Sequence, residues 1–270
     1  MSNHRRAFII SGASALASLG LPRYGVAQIN LLLDLPRPNP NLFESGDFVW
    51  PKKPGAYVPY NSGSKNSPAE DRRQWEEEKD IYLQIASRIP NADAVTLKRI
   101  EILRSIDHRE FISIYAGAQQ PGVPGVYSGG SVYVGHVGIL DLDNNGTPWV
   151  IEALLRQGVV RRKYEDWISD RSEDVVWLGR LRQTGVESRK RVVDEARKHL
   201  NKPYNFWNFD LNDDSGFYCS KLAWLSVYRA LGIAVDRNES TKRLLWFSPK
   251  QFLNSLTIQK LHDPGSYALA

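Results

Sequence analysis

The chain contains a single cysteine, Cys219, among 270 residues. One cysteine cannot form an internal disulfide, so the fold has to be held by its core even in an oxidising compartment. Long hydrophobic runs are also missing, because the apolar stretch from Phe8 to Leu21 falls short of the ~20 residues that a membrane-spanning helix needs. We therefore expect no integral membrane span in the mature chain.

Several catalytic and nucleotide-binding motifs are absent from the sequence. There is no G-x-S-x-G nucleophile elbow, no phosphate-binding G-x-x-x-x-G-K-[ST] loop and no zinc-binding H-E-x-x-H helix. The glycines at 122, 125, 129 and 130 lack the spacing of a dinucleotide fingerprint. The sequence therefore predicts a site that works without a metal or another cofactor.

The first 27 residues have the features of an export signal. Two arginines, at positions 5 and 6, precede the apolar stretch as in a twin-arginine signal, although two neighbouring positions depart from that pattern. An ordinary secretory signal is the alternative, and the small residues at 25–27 suit cleavage by either route. We expect an exported, periplasmic protein whose residues 28–270 form a single domain.

Little net charge remains once the signal is removed. Residues 1–27 hold three arginines and no acidic residue, so the formal net charge falls from +5 for the whole chain to +2. That excess is too small to indicate binding to nucleic acid or to an anionic membrane surface. The remaining sequence keeps all eight tryptophans, which is enough apolar material for one sizeable core.

The pattern of residues predicts strands and helices in separate blocks. Strands are expected at 47–50, 131–140, 149–155, 158–162 and 175–178. Helices are expected at 186–200, from Cys219 to Leu231 with Gly232 as the terminating glycine, and from Ser248 onward. This segregation favours an α+β fold over a parallel α/β sheet.

Two further helices are predicted between the first strand and the rest of the sheet. Ser67, Pro68 and Glu70 form a helix start, and that helix should end near 87–88. A second helical stretch is expected at roughly 92–116, with Leu97, Ile100, Leu103 and Ile106 on its inner side. We interpret 66–116 as a helical insertion packed on the main domain.

Cys219 lies where a reactive thiol would be placed, in the first turn of its predicted helix. Unpaired backbone N–H groups at a helix start carry partial positive charge, which favours a thiolate over a thiol. The alternative is that Cys219 is a small, inert residue of the core. Alkylation of the thiol at different pH values separates these two interpretations.

His136 and Glu152 fall nearly opposite each other across the hairpin predicted around 143–146. A three-residue loop, such as 143–145, or a bulge puts both side chains on one face of the sheet, whereas a two- or four-residue loop separates them. On one face, the carboxylate would orient the imidazole, and the imidazole would support a thiolate at Cys219. The alternatives are a structural strand histidine and a solvent-facing glutamate.

The segment from Asp141 to Glu152 also fits the calcium loop of an EF-hand letter for letter. An EF-hand needs a helix on either side, and here β-type sequence flanks the loop. We therefore interpret the acidic cluster as a hairpin turn. Calcium binding would also divert Glu152 from His136, so the two interpretations exclude each other.

Several segments together resemble the permuted papain-fold cysteine hydrolases, the YiiX/YebB-like branch of the NlpC-type peptidase superfamily. The segments that carry the resemblance are 46–49, 135–139, 150–153 with 158–159, 201–205 and 218–222. In that family the histidine precedes the cysteine, reversing the order in papain, and this chain has the reversed order. The resemblance implies a circularly permuted papain-like fold, with an antiparallel sheet packed against helices.

The resemblance also implies an activity and a site. His136 would be the general base, Cys219 the nucleophile and Glu152 the orienting residue, and Tyr218 and Ser220 would belong to the substrate site. The aromatic loop 204–209 adds Tyr204 and Trp207 as candidates for the substrate groove, with packing in the core as the alternative. The expected reaction is hydrolysis of a peptide or other amide of the cell envelope, such as a peptidoglycan stem peptide. An acyltransferase or lipid esterase on the same fold, and a non-catalytic envelope-binding module, remain the alternatives.

Overall fold

The computed structural model describes residues 36–52, 68–115 and 136–265. The predicted export signal at 1–27 and the start of the strand predicted at 131–140 lie outside the described residues. The strands are β1 (Phe48–Lys52), β2 (Gly138–Leu142), β3 (Pro148–Leu154), β4 (Gly158–Lys163), β5 (Val175–Leu181) and β6 (Ile258–His262). The helices are α1 (Pro68–Ala86), α2 (Ala94–Ser105), α3 (His108–Tyr115), α4 (Tyr164–Ser169), α5 (Val186–Arg197), α6 (Cys219–Leu231) and α7 (Pro249–Leu253).

The six strands form one sheet in the order β4-β3-β2-β1-β5-β6, and every neighbouring pair is antiparallel. This architecture confirms the predicted α+β class with an antiparallel sheet. Strand β6 was missed because its short sequence, Ile258–His262, forms an edge strand with little apolar character. Within the described ranges, no helix is both long enough and apolar enough to cross a bilayer.

Strand β1 lies inside the sheet, between β2 and β5, and is buried on both faces. Side chains alternate across a strand, so Phe48 and Trp50 enter the larger core, while Val49 enters a smaller core on the opposite face. The smaller core contains Trp167, and the larger one contains most of α6. The strand therefore connects the two hydrophobic layers.

Helix α6 is the central helix of the larger core. Its residues from Cys219 to Val227 are all buried, and it packs against α5, α7, β2 and β3. Gly232 ends the helix in the left-handed conformation (φ 69°), with its N–H donating to the carbonyl of Tyr228 at 2.8 Å. This confirms the predicted terminating glycine.

The helical stretch predicted at 92–116 is wrong in one respect, because it consists of two helices, α2 and α3. The break follows Ile106: Asp107 Oδ1 accepts from the N–H of Glu110 at 2.7 Å, and Glu110 Oε2 accepts from the N–H of Asp107 at 2.9 Å. This reciprocal cap is a strong helix-start signal that starts α3. Leu97, expected on the inner side, is instead 57% exposed.

The segment α1–α3 packs on the rest of the domain through buried contacts. Arg99 of α2 donates to the carbonyl oxygens of Arg243 and Leu244, and Trp75 of α1 stacks on Phe111 of α3 at 4.8 Å. Trp75 also approaches Trp207 at 5.9 Å. That 66–116 is an insertion into the main domain stays a prediction.

Candidate active site

Cys219 is the first residue of α6, and its side chain is 8% exposed. The preceding residue, Tyr218, is the N-cap but offers no side-chain cap to the helix. The first N–H groups of a helix have no intrahelical acceptor, so they present partial positive charge beside the sulfur. The start of α6 therefore provides backbone donors that can stabilise a developing oxyanion.

His136 lies two residues before β2, and its Nε2 is 2.7 Å from Glu152 Oε2 on β3. The hairpin loop spans 143–147, five residues and not the predicted three, and Ile139 pairs with Ile151. Five and three have the same parity, so both side chains lie on one face as the three-residue loop predicts. The register places them diagonally and not directly opposite.

Glu152 is fully buried and accepts three hydrogen bonds at a single oxygen. Besides His136, Oε2 receives Trp167 Nε1 at 2.8 Å and Arg171 Nη2 at 3.1 Å. Burial raises the pKa of this carboxyl group, but the hydrogen bond from His136 and the charge of Arg171 outweigh burial, so its pKa is lowered overall. Glu152 is therefore held as a carboxylate despite its buried position.

Trp167 and Arg171 are members of this cluster that the sequence analysis missed. Trp167 lies on α4, Arg171 follows it, and the Arg171 guanidinium lies 4.4 Å from the centre of the Trp167 ring. Neither residue belongs to a motif, and each is more than a dozen positions from Glu152 in sequence. No signal in the sequence identifies them in advance.

His136 connects the carboxylate to the sulfur. Burial lowers the pKa of His136, but the charge of a Cys219 thiolate, a hydrogen bond with Cys219 and the interactions with Glu152 together raise the pKa to about 9. The arrangement therefore favours an imidazolium, which stabilises a thiolate and can protonate a leaving group.

The residues on either side of Cys219 are held by one backbone position, Phe247. Tyr218 Oη accepts from the N–H of Phe247 at 3.2 Å, and Ser220 Oγ donates to its carbonyl oxygen at 2.6 Å. Burial is the main cause that raises the pKa of Tyr218. The Ser220 side chain is fully buried and its hydroxyl holds this backbone position, so a role of Ser220 in substrate binding stays a prediction, as does that of Tyr218.

Tyr204 and Trp207 belong to the loop that precedes α6. Tyr204 forms a β-bridge with Phe217, two positions before Cys219. Trp207 donates its indole N–H to Glu78 Oε2 at 2.9 Å and lines a cleft of about 480 Å³ between α1 and this loop. Their roles in substrate binding stay predictions.

The calcium loop does not fit the structure, because the flanking elements are the strands β2 and β3. Asp141 is fully buried and binds Arg161 and Arg197, each at 2.6 Å, while Glu152 binds His136. Two of the side chains that calcium would need are thus engaged elsewhere. Throughout the part of the chain that the structure describes, no group of three or more His, Cys, Asp or Glu residues is arranged to hold a metal ion.

Comparisons with known proteins find similar chains in Escherichia coli. An uncharacterised protein, YiiX of Escherichia coli (strain K12), is 30% identical over 117 residues, which are 43% of this chain and 55% of that protein. The chain thus matches about half the length of this curated relative. The crystal structure of metalloprotein yiiX from Escherichia coli O157:H7 aligns with 81% of this chain and 96% of that one, at 16% identity and a TM-score of 0.42.

A family model matches residues 126–263, a segment that contains β2 to β6 and α4 to α7 and includes His136, Glu152 and Cys219. The family is described as a permuted papain-like amidase enzyme, YaeF/YiiX, C92 family. The match covers just over half of the chain, and the antiparallel sheet with its helices is consistent with that fold. The chain is therefore a member of the permuted papain-like amidase family YaeF/YiiX.

Proposed function

We propose that the protein is a cysteine amidohydrolase in which Cys219 is the nucleophile, His136 the general acid and base, and Glu152 the orienting residue. The observation that carries the proposal is the position of His136. Its Nε2 is 2.7 Å from a buried carboxylate, and the charge of Cys219, the only cysteine of the chain, is among the causes that raise the pKa of the imidazole. Family membership in a group of amidases gives independent support.

The chemistry follows the usual course of a thiol hydrolase. The Cys219 thiolate attacks the carbonyl carbon of the amide, forming a C–S bond and an oxyanion that backbone N–H groups at the start of α6 can stabilise. As the C–N bond breaks, His136 gives its proton to the leaving amine. Water then attacks the thioester while His136 accepts its proton, and the carboxylic acid leaves with the thiolate regenerated.

The proposed substrate is an amide of the cell envelope, with peptidoglycan stem peptides as the first class to test. We propose this class because the family is described as amidases and because the N-terminal sequence resembles an export signal. Fractionation of cells that express the full chain, with and without the two arginines at 5 and 6, tests the proposed periplasmic location. Retention of both forms in the cytoplasm would contradict it.

The acyltransferase or lipid-esterase alternative requires an apolar tunnel for an acyl chain. Trp207 and Phe209 do line a cleft, but Glu78, Asp210 and Asp213 line it as well. A fatty acyl chain in this cleft would lie against carboxylates. It would remove their hydrating water and offer no hydrogen bond in return, which costs free energy. This cleft is therefore not the apolar tunnel that the lipid reaction requires.

The decisive experiment combines turnover with labelling of Cys219. Digests of peptidoglycan are incubated with the full chain and with Cys219→Ala, His136→Ala and Glu165→Gln, and new termini are identified by mass spectrometry. Glu165 is an exposed residue of α4 and is the control. Cys219→Ala should abolish cleavage and keep the melting temperature within a few degrees, and His136→Ala should slow alkylation of Cys219 by iodoacetamide at pH 7.

Each outcome separates the alternatives. Cleavage that survives in Cys219→Ala would eliminate the thioester route, and unfolding of this variant would favour a structural role for the cysteine. Release of acyl chains from lipid esters, with no effect on amides, would favour the lipid-esterase alternative. Binding to peptidoglycan without cleavage, together with slow alkylation in the unmodified chain, would indicate a non-catalytic module.

A further inference from the structure

The cleft between α1 and the loop 204–213 has an apolar wall made by both elements. Ile81 and Ile85 of α1 are 57% and 63% exposed, and they line the cleft together with Tyr82, Trp207 and Phe209. The cleft has a volume of about 480 Å³, which is within the range of small-molecule sites. Large exposed isoleucines beside aromatic rings form an apolar surface, and such surfaces are typical of binding sites.

The same cleft carries negative charge. Glu78, Asp210 and Asp213 contribute carboxylates to its lining, and Arg99 contributes the one cationic side chain. Arg99 already donates to the carbonyl oxygens of Arg243 and Leu244, and its guanidinium lies 4.6 Å from the centre of the Phe209 ring. One guanidinium offsets only part of the charge of three carboxylates, and the hydrogen bonds to these carbonyl oxygens hold Arg99 in place.

The carboxylates are fixed by the protein and not simply solvated. Glu78 holds the indole of Trp207, Asp213 accepts from the side chain of Asn208 at 2.9 Å, and Asp210 Oδ1 accepts from the N–H of Asn212 at 3.0 Å. For Asp213, burial raises the pKa, but hydrogen bonds from Ser215 and the charge of Lys221 lower it overall. The Asp213 carboxylate therefore keeps its negative charge beside the apolar wall at neutral pH.

Two features of the cleft select the chemistry of its ligand. An apolar ligand would cover the isoleucines but leave the carboxylates desolvated, and an anion would be repelled by them. A cation on an apolar stem matches both the apolar wall and the carboxylates. Its stem packs on the isoleucines, and its charge faces the carboxylates and aromatic rings. We propose that this cleft binds an organic ammonium ion carried on an apolar stem.

The cleft is separate from the proposed catalytic residues, since neither Cys219 nor His136 is among its lining residues. It is nevertheless built on the loop that leads to Cys219. Asn208 donates to the carbonyl oxygen of Gly216 at 3.3 Å, and the N–H of Asn205 donates to that of Phe217 at 2.9 Å. The cleft therefore borders the segment that enters α6.

Calorimetric titration of the full chain with hexylammonium, hexanol and hexanoate tests the proposal. The three probes share one stem and differ in charge, so only the ammonium should bind appreciably, and its affinity should fall as salt is added. Equal binding of hexanol, tighter binding of hexanoate, or no binding of hexylammonium would each overturn the proposal. Cys219→Ala should bind hexylammonium as the unmodified chain does, which keeps this result independent of the proposed catalysis.

Variants then place the ligand. Asp210→Asn keeps the acceptor for Asn212 but removes a charge, and it should raise the dissociation constant of hexylammonium about fivefold, as expected for one partly exposed ion pair. Glu77→Gln is the matched control, because Glu77 lies next to Glu78 on α1, pairs with Arg73 and is not among the cleft residues. Equal effects of the two substitutions would contradict the assignment.

A second measurement covers the case in which Asp210→Asn disturbs the loop. The indole N–H signal of Trp207, assigned with Trp207→Phe, should shift as hexylammonium is added, while that of the buried Trp224 should not. Ile85→Ser alters an exposed side chain, so it should weaken binding without loss of folding. An unmoved Trp207 signal at saturating hexylammonium would exclude this cleft as the site.

Discussion

The indole nitrogen of Trp167 lies 2.8 Å from Glu152 Oε2, the same oxygen that His136 Nε2 approaches at 2.7 Å. One carboxylate oxygen thus lies within hydrogen-bond distance of a neutral donor and of the proposed catalytic base. A carboxylate stabilised by fixed donors keeps its charge in a buried site. The orientation of His136 therefore depends on Trp167 through the Glu152 carboxylate.

Replacing Trp167 by Phe tests this dependence. The substitution keeps an aromatic ring in the smaller core but removes the N–H donor, so the Glu152 carboxylate is less well stabilised. We expect kcat/KM to fall about tenfold, which corresponds to one hydrogen bond to a charged group of ~1.5 kcal/mol. The measurement is the pH profile of kcat/KM, because weaker support from Glu152 also moves the alkaline limb to lower pH.

Trp149→Phe is the control for that experiment. Trp149 lies on the same strand and donates its indole N–H to Asp143 Oδ2 at 3.2 Å, away from Glu152. This variant should lose a similar hydrogen bond and leave the pH profile unchanged. If both variants shift the profile alike, the effect arises from general loosening of the hairpin and not from Trp167.

The pKa of about 9 for His136 predicts where turnover declines. The imidazolium is the proton donor for the leaving amine, so turnover should be sustained up to pH 9 and fall above it. Alkylation of Cys219 by iodoacetamide needs only the thiolate and should stay fast above pH 9. Glu152→Gln removes the charge that supports the imidazolium, so its alkaline limb should lie at lower pH, whereas a limb unmoved by this change would argue against the proposed triad.

The raised pKa of His136 also makes folding stability depend on pH. The native pKa of about 9 exceeds the unfolded value of ~6.5, so the contribution of His136 is complete below ~6.5 and is lost as the pH rises through about 9. Urea denaturation of the unmodified chain and of His136→Gln at pH 6 and pH 10 measures this contribution. The difference in unfolding free energy between the two chains should be larger at pH 6.

The contribution of Lys221 to folding stability depends on pH in the opposite direction to that of His136. Its side chain is fully buried, its Nζ has no hydrogen-bond acceptor among the described residues, and burial is the main cause that lowers its pKa to about 7. Between pH 7 and ~10.5 the unfolded chain binds more protons at this lysine, so its penalty diminishes as the pH rises. Lys221→Met should stabilise the protein at pH 6 by roughly 1–3 kcal/mol, and the gain should shrink by pH 10.

Lys202→Met provides the comparison for that measurement. Lys202 is a partly exposed lysine just before the loop 204–213, so its replacement should change the unfolding free energy little at either pH. A gain for Lys221→Met that is the same at pH 6 and pH 10 would show that improved packing, and not the relief of a buried charge, is responsible.

The parts of the site that the sequence predicts are those governed by local periodicity. His136 and Glu152 share a face because side chains alternate along strands, and a five-residue loop has the same parity as the expected three-residue loop. The position of Cys219 follows from the start of α6, which the terminating Gly232 also fixes. The break between α2 and α3 was predictable too, because Asp107 and Glu110 have capping-box spacing.

The remaining contacts join positions that no local pattern links. Trp167 and Arg171 reach Glu152 because α4 folds back over β3, and Phe247 reaches both neighbours of Cys219 from nearly thirty positions away. Such contacts are set by how the elements pack in three dimensions, which single-residue preferences do not encode. Strand β6 was missed for the same reason, since its pairing with β5 determines it more than its own composition.

The close approach of Gly158 to Lys202 leads to a prediction about the segment before the loop 204–213. It has a left-handed backbone (φ +73°), and a Cβ added there would lie 2.2 Å from the carbonyl oxygen of Lys202. That oxygen accepts from the N–H of Val159 at 2.9 Å, and the N–H of Asn201 donates to the carbonyl oxygen of Val159 at 2.9 Å. Gly158→Ala therefore has to displace the segment that leads to Tyr204.

Gly146→Ala separates that clash from backbone strain. Gly146 is also left-handed (φ +76°), but a Cβ there meets no atom of the described residues within 4 Å. Urea denaturation should show a loss of ~1 kcal/mol for Gly146→Ala from strain alone, and about 3 kcal/mol or more for Gly158→Ala. Because Tyr204 pairs with Phe217 two positions before Cys219, only Gly158→Ala should also change the rate of Cys219 alkylation. Equal losses of unfolding free energy in the two variants would mean that Lys202 moves aside without cost.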